Sequence, residues 1–451
     1  MLRLFDTACG RVVPLELRDP GSVSIYVCGP TVYGPPHLGH GRSTLVFDVL
    51  RRYLEWTGLK VDHVANVTDV DDNIIAKAAS EGRTETEVAV EWEAVWWKAM
   101  DALGVKRPTA DPHATAYVER MVEMVGRLVA IGMAYETSDG VYLQAGRVED
   151  YGLLARQSIE SLQAGARVEG SDETRAPIDF ALWKKAKPGE PSWDSPWGPG
   201  RPGWHTECVA MSLDLLGDGF DIHGGGMDLA FPHHENERAQ AVALGRPFAR
   251  CWMHHGFVEV DGEKMSKSLR NFTTLIDLLD SVDPRAYRLL VLRSHYRSPM
   301  EVTKVSTADA EGAIQRLDTF ARRTADLMGS EEPDPATVAR FRERMDDDLD
   351  TPGVVDLVFR AVRQANTALD SEDVASAAPL AAAVHEICQA VGLVLEAAGE
   401  AIPPAVTELA RRRDEARAAQ DWAQADALRD QLQLDGWLLE DTPARTVVRR
   451  A

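Results

Sequence analysis

Apolar residues change their period several times along this chain, and each change marks an element. Residues 23–28 form a β-rich run that ends in Gly29-Pro30 and a Gly/Pro loop, after which apolar positions recur at helical spacing from Ser43 to Leu54. The pattern predicts strand, loop, helix. Residues 60–67 predict a second strand that runs into Thr68-Asp69-Val70-Asp71-Asp72, and Ile74, Ile75 and Ala78 predict the helix after it. Strand, helix and strand in this order open a βαβ unit with a parallel sheet. Residues 85–132 alternate charged residues with Val, Trp, Met and Leu at helical spacing and predict a helical pair.

Prolines, glycines and tryptophans crowd residues 177–202, which read as an insertion ending where a second half of the nucleotide fold resumes. That half predicts a helix over 207–216, a short strand over 220–223 leading into Gly224-Gly225-Gly226, a helix from about His233, one strand over 252–260 and a tight turn at Asp261-Gly262. After Asp283 the pattern is almost wholly helical, with breaks at Pro299, at 329–335 and at Pro403-Pro404. Residues 408–434 read as one amphipathic helix and 437–439 as a short strand. The expected fold class is α/β. A Rossmann-like nucleotide-binding domain with a parallel sheet takes residues 1–110 and 201–306, a connective insertion 111–200, a helical bundle 307–400, and a small C-terminal domain 401–451.

Composition narrows the function classes. A chain of 451 residues with 45% hydrophobic content builds several cores, and no run reaches the roughly 18 apolar residues that span a bilayer. A soluble cytoplasmic protein with no membrane partner is expected. Cys9, Cys28, Cys208, Cys251 and Cys388 are scattered singly, unlike a disulfide framework, and suit reduced thiols, some of them on metal. The formal net charge of −22 predicts no polyanionic partner for the chain as a whole, so any nucleic acid must use local patches. From Arg411 onward arginines equal acids, which leaves that end less repulsive to phosphate.

The candidate chemistry lies in three constellations. His37-Leu38-Gly39-His40 opens a helix directly after a strand and loop, where unpaired N–H groups and the dipole favour phosphate. Gly39 leaves room for a ligand, and the two imidazoles share one face. Lys264-Met265-Ser266-Lys267-Ser268 follows the later tight turn, with two lysines able to gather round a triphosphate. Each motif alone reads equally as structural histidines or surface lysines; together, in this order and context, they resemble the paired signature of class I aminoacyl-tRNA synthetases. The third constellation is His233 and Glu237, four apart on one helical face, with Cys28 at a strand end and Cys208 near a helix start. No two cysteines share a Cys-x-x-Cys spacing, so the pattern alone leaves open zinc or two buried thiols with a capping glutamate.

A resemblance to one family carries further. Tyr26-Val27-Cys28-Gly29 with Thr31-Val32-Tyr33, the block 66–72, Gly189-Glu190-Pro191-Ser192-Trp193, Arg201 to His205 with Glu207-Cys208, Asp221 to Gly226 and Phe231 to Glu237 resemble cysteinyl-tRNA synthetase blocks in the family's order, over essentially the whole chain. The resemblance implies one Zn2+ on Cys28, Cys208, His233 and Glu237, with Thr31, Thr68, Trp204 and His223 round the substrate. Gly39 and Asp228 would meet ATP, Asp228 at the ribose, and Lys267 its phosphates, with Mg2+ accompanying the nucleotide; His37, His40, Lys264 and Lys267 would be catalytic. It also implies a cysteine–tRNA ligase, monomeric, acting on L-cysteine, ATP and tRNA(Cys), with Arg417, Trp422 and Asp426 reading the anticodon. By composition alone Trp422 reads as core. Gly34, Asn73 and Arg270 depart from the family's common Asp, Lys and Gly at those places. The rival is a related ligase joining activated cysteine to an amino-sugar in mycothiol synthesis, which has no use for an anticodon-reading end.

Overall fold

The protein is described by a computed structural model covering residues 1–159, 161, 173–260, 263–264, 274–327, 331–396, 404–441 and 446–450. It opens on a hairpin of β1 (Arg3–Asp6) and β2 (Arg11–Pro14) that the hydrophobic pattern did not single out. Then come β3 (Ser22–Val27), α1 (Leu38–Trp56) and β4 (Lys60–Ala65), the last parallel to β3 with Tyr26 opposite Val64. The helices α2 (Asp72–Glu81) and α3 (Glu85–Ala102) follow, α3 starting from a reciprocal Thr84/Glu87 cap. Helix α4 (Val118–Ala130) packs on an antiparallel sheet of β5 (Ala134–Glu136), β6 (Gly140–Leu143), β7 (Phe180–Lys185) and β8 (Gly200–Pro202). The chain returns through α5 (Trp204–Leu215), β9 (Ile222–Gly226), α6 (Glu235–Ala243) and β10 (Cys251–His255).

The parallel sheet has the order β10-β9-β3-β4, so the two βαβ halves run outward in opposite directions from the junction of β3 and β9. Such a reversal leaves a crevice at the carboxyl ends of the two central strands, where ligands of open α/β sheets bind. Alternation along β3 covers both faces. Val23, Ile25 and Val27 join Leu45, Phe47 and Leu50 of α1, whereas Tyr26 packs with Val209 and Met211 of α5 and with Phe220.

Beyond the sheet, β11 (Val258–Val260) pairs with β12 (Glu263–Lys264), and α7 (Leu275–Leu279) and α8 (Pro284–Arg293) lead to β13 (Met300–Val302), which is parallel to β11. A bundle of α9 (Lys304–Arg323), α10 (Pro335–Asp346), α11 (Thr351–Asp370) and α12 (Val374–Ala390) shares one core with α1. Last are α13 (Pro404–Ala418), α14 (Trp422–Leu434) and a hairpin of β14 (Trp437–Asp441) and β15 (Thr446–Arg450).

Four local expectations are corrected. The strand expected over 220–223 is instead β9, and the glycine run belongs to it, because Phe47 and His234 close on Gly224 and Gly225 too tightly for side chains. The single strand expected over 252–260 is two strands in different sheets. They part at Gly256, where the carbonyls of Arg297 and Ser298 leave no space for a Cβ and the buried Arg42 guanidinium takes the Phe257 carbonyl at 2.7 Å. The single helix expected over 408–434 breaks at Gln420, whose φ is +57°, and restarts with Asp421 capping the Gln424 N–H at 3.1 Å. The strands β13 and β15 interrupt a region read as almost wholly helical, and the turn expected at Asp261-Gly262 lies outside the described residues.

The bundle is locked to the sheet by a fully buried ion pair. Arg288 of α8 reaches Asp48 of α1 at 2.6 Å and also donates to the carbonyls of Leu103, Gly104 and Val391. Burial works against the Asp48 charge, but Arg288 and Arg52 hold its carboxyl below the ordinary value. The stabilisation is therefore complete above the ordinary carboxylate pKa of about 3.9 and is lost as the pH falls below it. Arg288→Ala should lower the unfolding free energy at pH 7 by about 3–5 kcal/mol, since it strands a buried carboxylate; urea unfolding followed by circular dichroism checks this, with the deficit shrinking as the pH falls below about 4.

Candidate active site and metal centre

Cys28 is the first residue beyond β3, and its N–H donates to the Gly224 carbonyl of β9 at 3.3 Å, which sets its thiol at the sheet's switch point. Gly29 follows so closely on the Asn66 carbonyl that no Cβ could be added there. Cys208 comes from α5, delivered by β8 of the insertion, while His233 and Glu237 come from the start of α6 and the turn before it. Three segments far apart in sequence thus converge.

The ligand atoms of Cys28, Cys208, His233 and Glu237 lie within 4.8 Å of one another. The two sulfurs are 3.6 Å apart, Cys208 Sγ is 3.6 Å from His233 Nε2, Cys28 Sγ is 3.5 Å from Glu237 Oε1, and His233 Nε2 is 3.0 Å from Glu237 Oε1. A tetrahedral zinc ion with ordinary Zn–S and Zn–N or Zn–O bonds sets edges of roughly 3.8 Å for S···S, 3.6 Å for S···N and 3.3 Å for N···O. The donor set fits such an ion in both chemistry and spacing. A second grouping, Cys28, His223, His234 and Glu237, shares two of these residues. It has one thiol instead of two, and His223 Nε2 sits at 2.7 Å from the other carboxylate oxygen, Oε2, as an orienting partner of Glu237.

Supporting contacts fix the ligand orientations. His233 turns Nδ1 to His205 Nδ1 at 2.9 Å, which leaves Nε2 for the cluster. Behind Cys28, His234 Nε2 is 3.3 Å from the sulfur, and its Nδ1 meets His254, which in turn meets Thr7. Burial pushes the Cys28 thiol well up, with Cys208 and Glu237 adding to it, and burial likewise raises Cys208. Burial drives His233 well down, so it presents a neutral imidazole with a free lone pair.

Of the residues expected round the substrate, Trp204 stacks on His233 at 3.9 Å and is 39% exposed, closing the outer side of the cluster. Thr68 bridges to Thr31, takes a hydrogen bond from Asn66 Nδ2 at 3.2 Å and donates to Glu207 Oε2 at 2.9 Å. His223 lies behind Glu237 with no exposure, stacked on Trp252 at 4.8 Å.

The other end of the crevice is the start of α1. His37 is its N-cap, and the two histidines cap each other: His40 N–H donates to His37 Nδ1 at 3.3 Å and His37 N–H to His40 Nδ1 at 3.2 Å, with the rings stacked at 3.6 Å. An accepting Nδ1 puts the ring proton on Nε2. Burial lowers the pKa of both, His40 the more strongly with His37 adding, so each ring is a neutral Nε2–H donor at the positive end of a helix. Gly39 packs under His37, and Asp228 lies exposed beyond β9, near enough to His37 to oppose that lowering; Gly226 has no room for a Cβ beside its carboxylate. Lys264 is placed by its pairing with Glu259. Lys267 and Arg270 lie outside the described residues, which resume at Thr274 in a bridge to His37.

At the far end Trp422 is 61% exposed in the first turn of α14, against the core packing its composition suggested. Asp426 stands one turn on, and Arg417 lies in the last turn of α13.

Known proteins resemble this chain in sequence and in fold. Residues 14–312 match the family described as tRNA synthetases class I (C) catalytic domain, and residues 340–396 match a DALR domain. The chain is 44% identical to the cysteine–tRNA ligase of Yersinia pseudotuberculosis serotype O:3 (strain YPIII) over 462 residues, and 44% identical to that of Pectobacterium carotovorum subsp. carotovorum (strain PC1) over 465, in each case across 100% of both chains. The chain belongs to the cysteine–tRNA ligase family. It is thus an aminoacyl-tRNA ligase of class I. Its fold is that of the Mycobacterium tuberculosis methionyl-tRNA synthetase in complex with methionyl-adenylate, with a TM-score of 0.60 at 16% identity over 82% of this chain and 89% of that one. The Agrobacterium radiobacter K84 agnB2 LeuRS ternary complex gives a TM-score of 0.62 at 11% identity, over 84% of each chain.

Several contributors escaped the sequence analysis. Glu207, Asn66, His205 and His234 sit inside family-like blocks, so their chemistry was in view without a partner to act on; His254 and Thr7 carry no pattern at all. Replacing His40 by Ala should lower cysteine-dependent ATP–pyrophosphate exchange by about 10²–10³-fold, the worth of one preorganised donor, while lowering unfolding free energy by only about 1 kcal/mol, the worth of a cap; exchange kinetics beside urea unfolding separate the two.

Proposed function

We propose that this chain activates L-cysteine with ATP and transfers it to tRNA(Cys), recognising the amino acid through zinc held by Cys28, Cys208, His233 and Glu237. The observation that carries this reading is the convergence of those four ligand atoms within 4.8 Å at the switch point of a class I sheet. Zinc there would supply a soft Lewis acid that favours a thiolate over a hydroxyl, a distinction an apolar pocket makes poorly between cysteine and serine. The chain's own groups do the rest. Trp204 covers the pocket, while Thr31 and Thr68, the latter fixed by Asn66 and Glu207, line the approach of the amino acid. As the cysteine carboxylate attacks the α-phosphate and pyrophosphate leaves, the Nε2–H donors of His37 and His40 meet the charge that develops on the phosphoryl oxygens. Gly39 and Asp228 hold the nucleotide at its phosphates and ribose, with Mg2+ accompanying the phosphates. Lys264 and Lys267 are the lysines assigned to the triphosphate. A terminal tRNA hydroxyl then takes the aminoacyl group.

On the same reading the catalytic halves are 1–110 and 201–306, flanking an insertion at 111–200, and the bundle at 307–400 carries an anticodon module at 401–451. The exposed Trp422, with Asp426 on the same face and Arg417 one helix back, supports base stacking and hydrogen bonding by that module. This end argues against an amino-sugar acceptor. The protein would act as a monomer in the cytoplasm; no described helix is long and apolar enough to cross a membrane.

Purified protein should carry one zinc per chain by elemental analysis and exchange pyrophosphate into ATP with cysteine but not serine. Cys208→Ser should lose both metal and exchange, and full exchange without bound zinc would overturn the proposal. Trp422→Ala should cut charging of tRNA(Cys) by about tenfold or more, as expected for loss of one base stack worth about 1–3 kcal/mol, with exchange unchanged.

A further inference from the structure

One cavity borders the proposed site, with Cys28 and His40 in its lining, and has a far wall that none of the roles above uses. It has a volume of about 70 Å3 and lies between the inner face of α1, the edge strand β4 and α3. Phe47, Trp96, Trp97 and Val105 wall it, and Gly29 and Asn66 close the end nearest the metal centre. His63 of β4 also lines it. That side chain is only 6% exposed, and neither ring nitrogen has a hydrogen-bond partner among the described residues. Burial, with Arg51 adding to it, pushes the ring down to about 4. At neutral pH it is therefore an uncharged imidazole with one N–H and one lone pair, both unmet. Buried polar groups almost always find partners, so this ring lacks one.

Volume narrows what could supply it. A water needs roughly 10–15 Å3 of such space. The cavity is thus the size of a few waters or one five-membered ring, and three aromatic walls favour the ring. An azole also carries a donor and an acceptor, either of which His63 can match by choice of tautomer. The contents of the cavity bear on catalysis from behind. His40 lines it and stands edge-on to Trp96 with centroids 5.5 Å apart, so a ring seated there contacts the motif histidine on the side away from the nucleotide.

We propose that this cavity binds small uncharged five-membered azoles through His63, and that a bound azole slows adenylate formation by restraining His40. The binding claim stands by itself, whereas the inhibition claim rests on the activity proposed above.

The test titrates pyrazole, uncharged at pH 7.5, into the full-length zinc-loaded protein and follows tryptophan fluorescence and Tm. Thiophene, of the same shape without ring nitrogens, is the comparison. Pyrazole should saturate at least tenfold more tightly than thiophene, and its affinity should fall at least tenfold in His63→Phe. In the exchange assay it should lower kcat several-fold without raising KM for ATP or cysteine. Ala65→Leu, two residues along β4 from His63 and also in the lining, narrows the cavity while keeping the imidazole; it should abolish the response in the same way and covers the case in which His63→Phe does not fold. Absence of a saturable response, its survival in both variants, or competition by cysteine or ATP would overturn the proposal, since competition puts the azole on the metal or in the nucleotide crevice. A His63-dependent response in protein that exchanges no pyrophosphate would uphold the site and sink the assigned activity instead.

Discussion

Glu237 is a carboxylate with no solvent contact, and the arrangement of the active site follows from the need to satisfy it. Burying an ionised carboxylate is costly unless opposite charge and hydrogen bonds surround it. Here one oxygen meets His223 and the other faces Cys28 and His233. The thiols beside it are pushed up by that same burial, and among the described residues its ion-pair partners are His223 and His233. A divalent cation held there would answer these demands together: it would offset the carboxylate, take thiolates in place of thiols and use the lone pair of a neutral imidazole. The fold brings these groups together because each is attached where a strand or helix ends at one crevice.

The same dry environment governs the nucleotide end. His37 and His40 would each be partly protonated in water, but burial keeps both neutral and their mutual caps fix the ring proton on the outward nitrogen. On the proposed reading, two oriented dipoles at a helix N-terminus would stabilise a developing negative charge without reorganising when it appears. The rings that cap the start of α1 through Nδ1 are thus the same rings proposed to serve the phosphate through Nε2.

These local arrangements depend on how the bundle is held. Arg288 and Asp48 join α8 to α1 in the core, and Asp348, just after α10, takes the Phe5 N–H, the Tyr296 hydroxyl and the Arg297 guanidinium. The N-terminal hairpin thereby touches both the bundle and β10, whose Trp252 N–H donates to Asp6 at 3.0 Å. The bundle is thus joined to the catalytic sheet through buried polar contacts that tolerate little slippage.

Much of this was legible in the residues themselves. The period-2 run before Cys28, the helix opened by His37 and the i, i+4 pair His233 and Glu237 are local patterns, and local patterns follow from backbone geometry that each segment carries with it. The split of 252–260 between two sheets was not legible, because a carbonyl claimed by Arg42 and a close approach at Gly256 are contacts between distant segments. The same holds for the exposure of Trp422, which depends on a helix break at Gln420. The partnership of Cys28 with Cys208, 180 positions apart, was visible in the sequence only through likeness to a family. The chain by itself determined the elements that open the sheet and carry the site, its α/β class and the residue types able to bind metal and phosphate. Only the packed structure decided which of those residues meet, because meeting depends on strand order and burial, which no short stretch of sequence encodes.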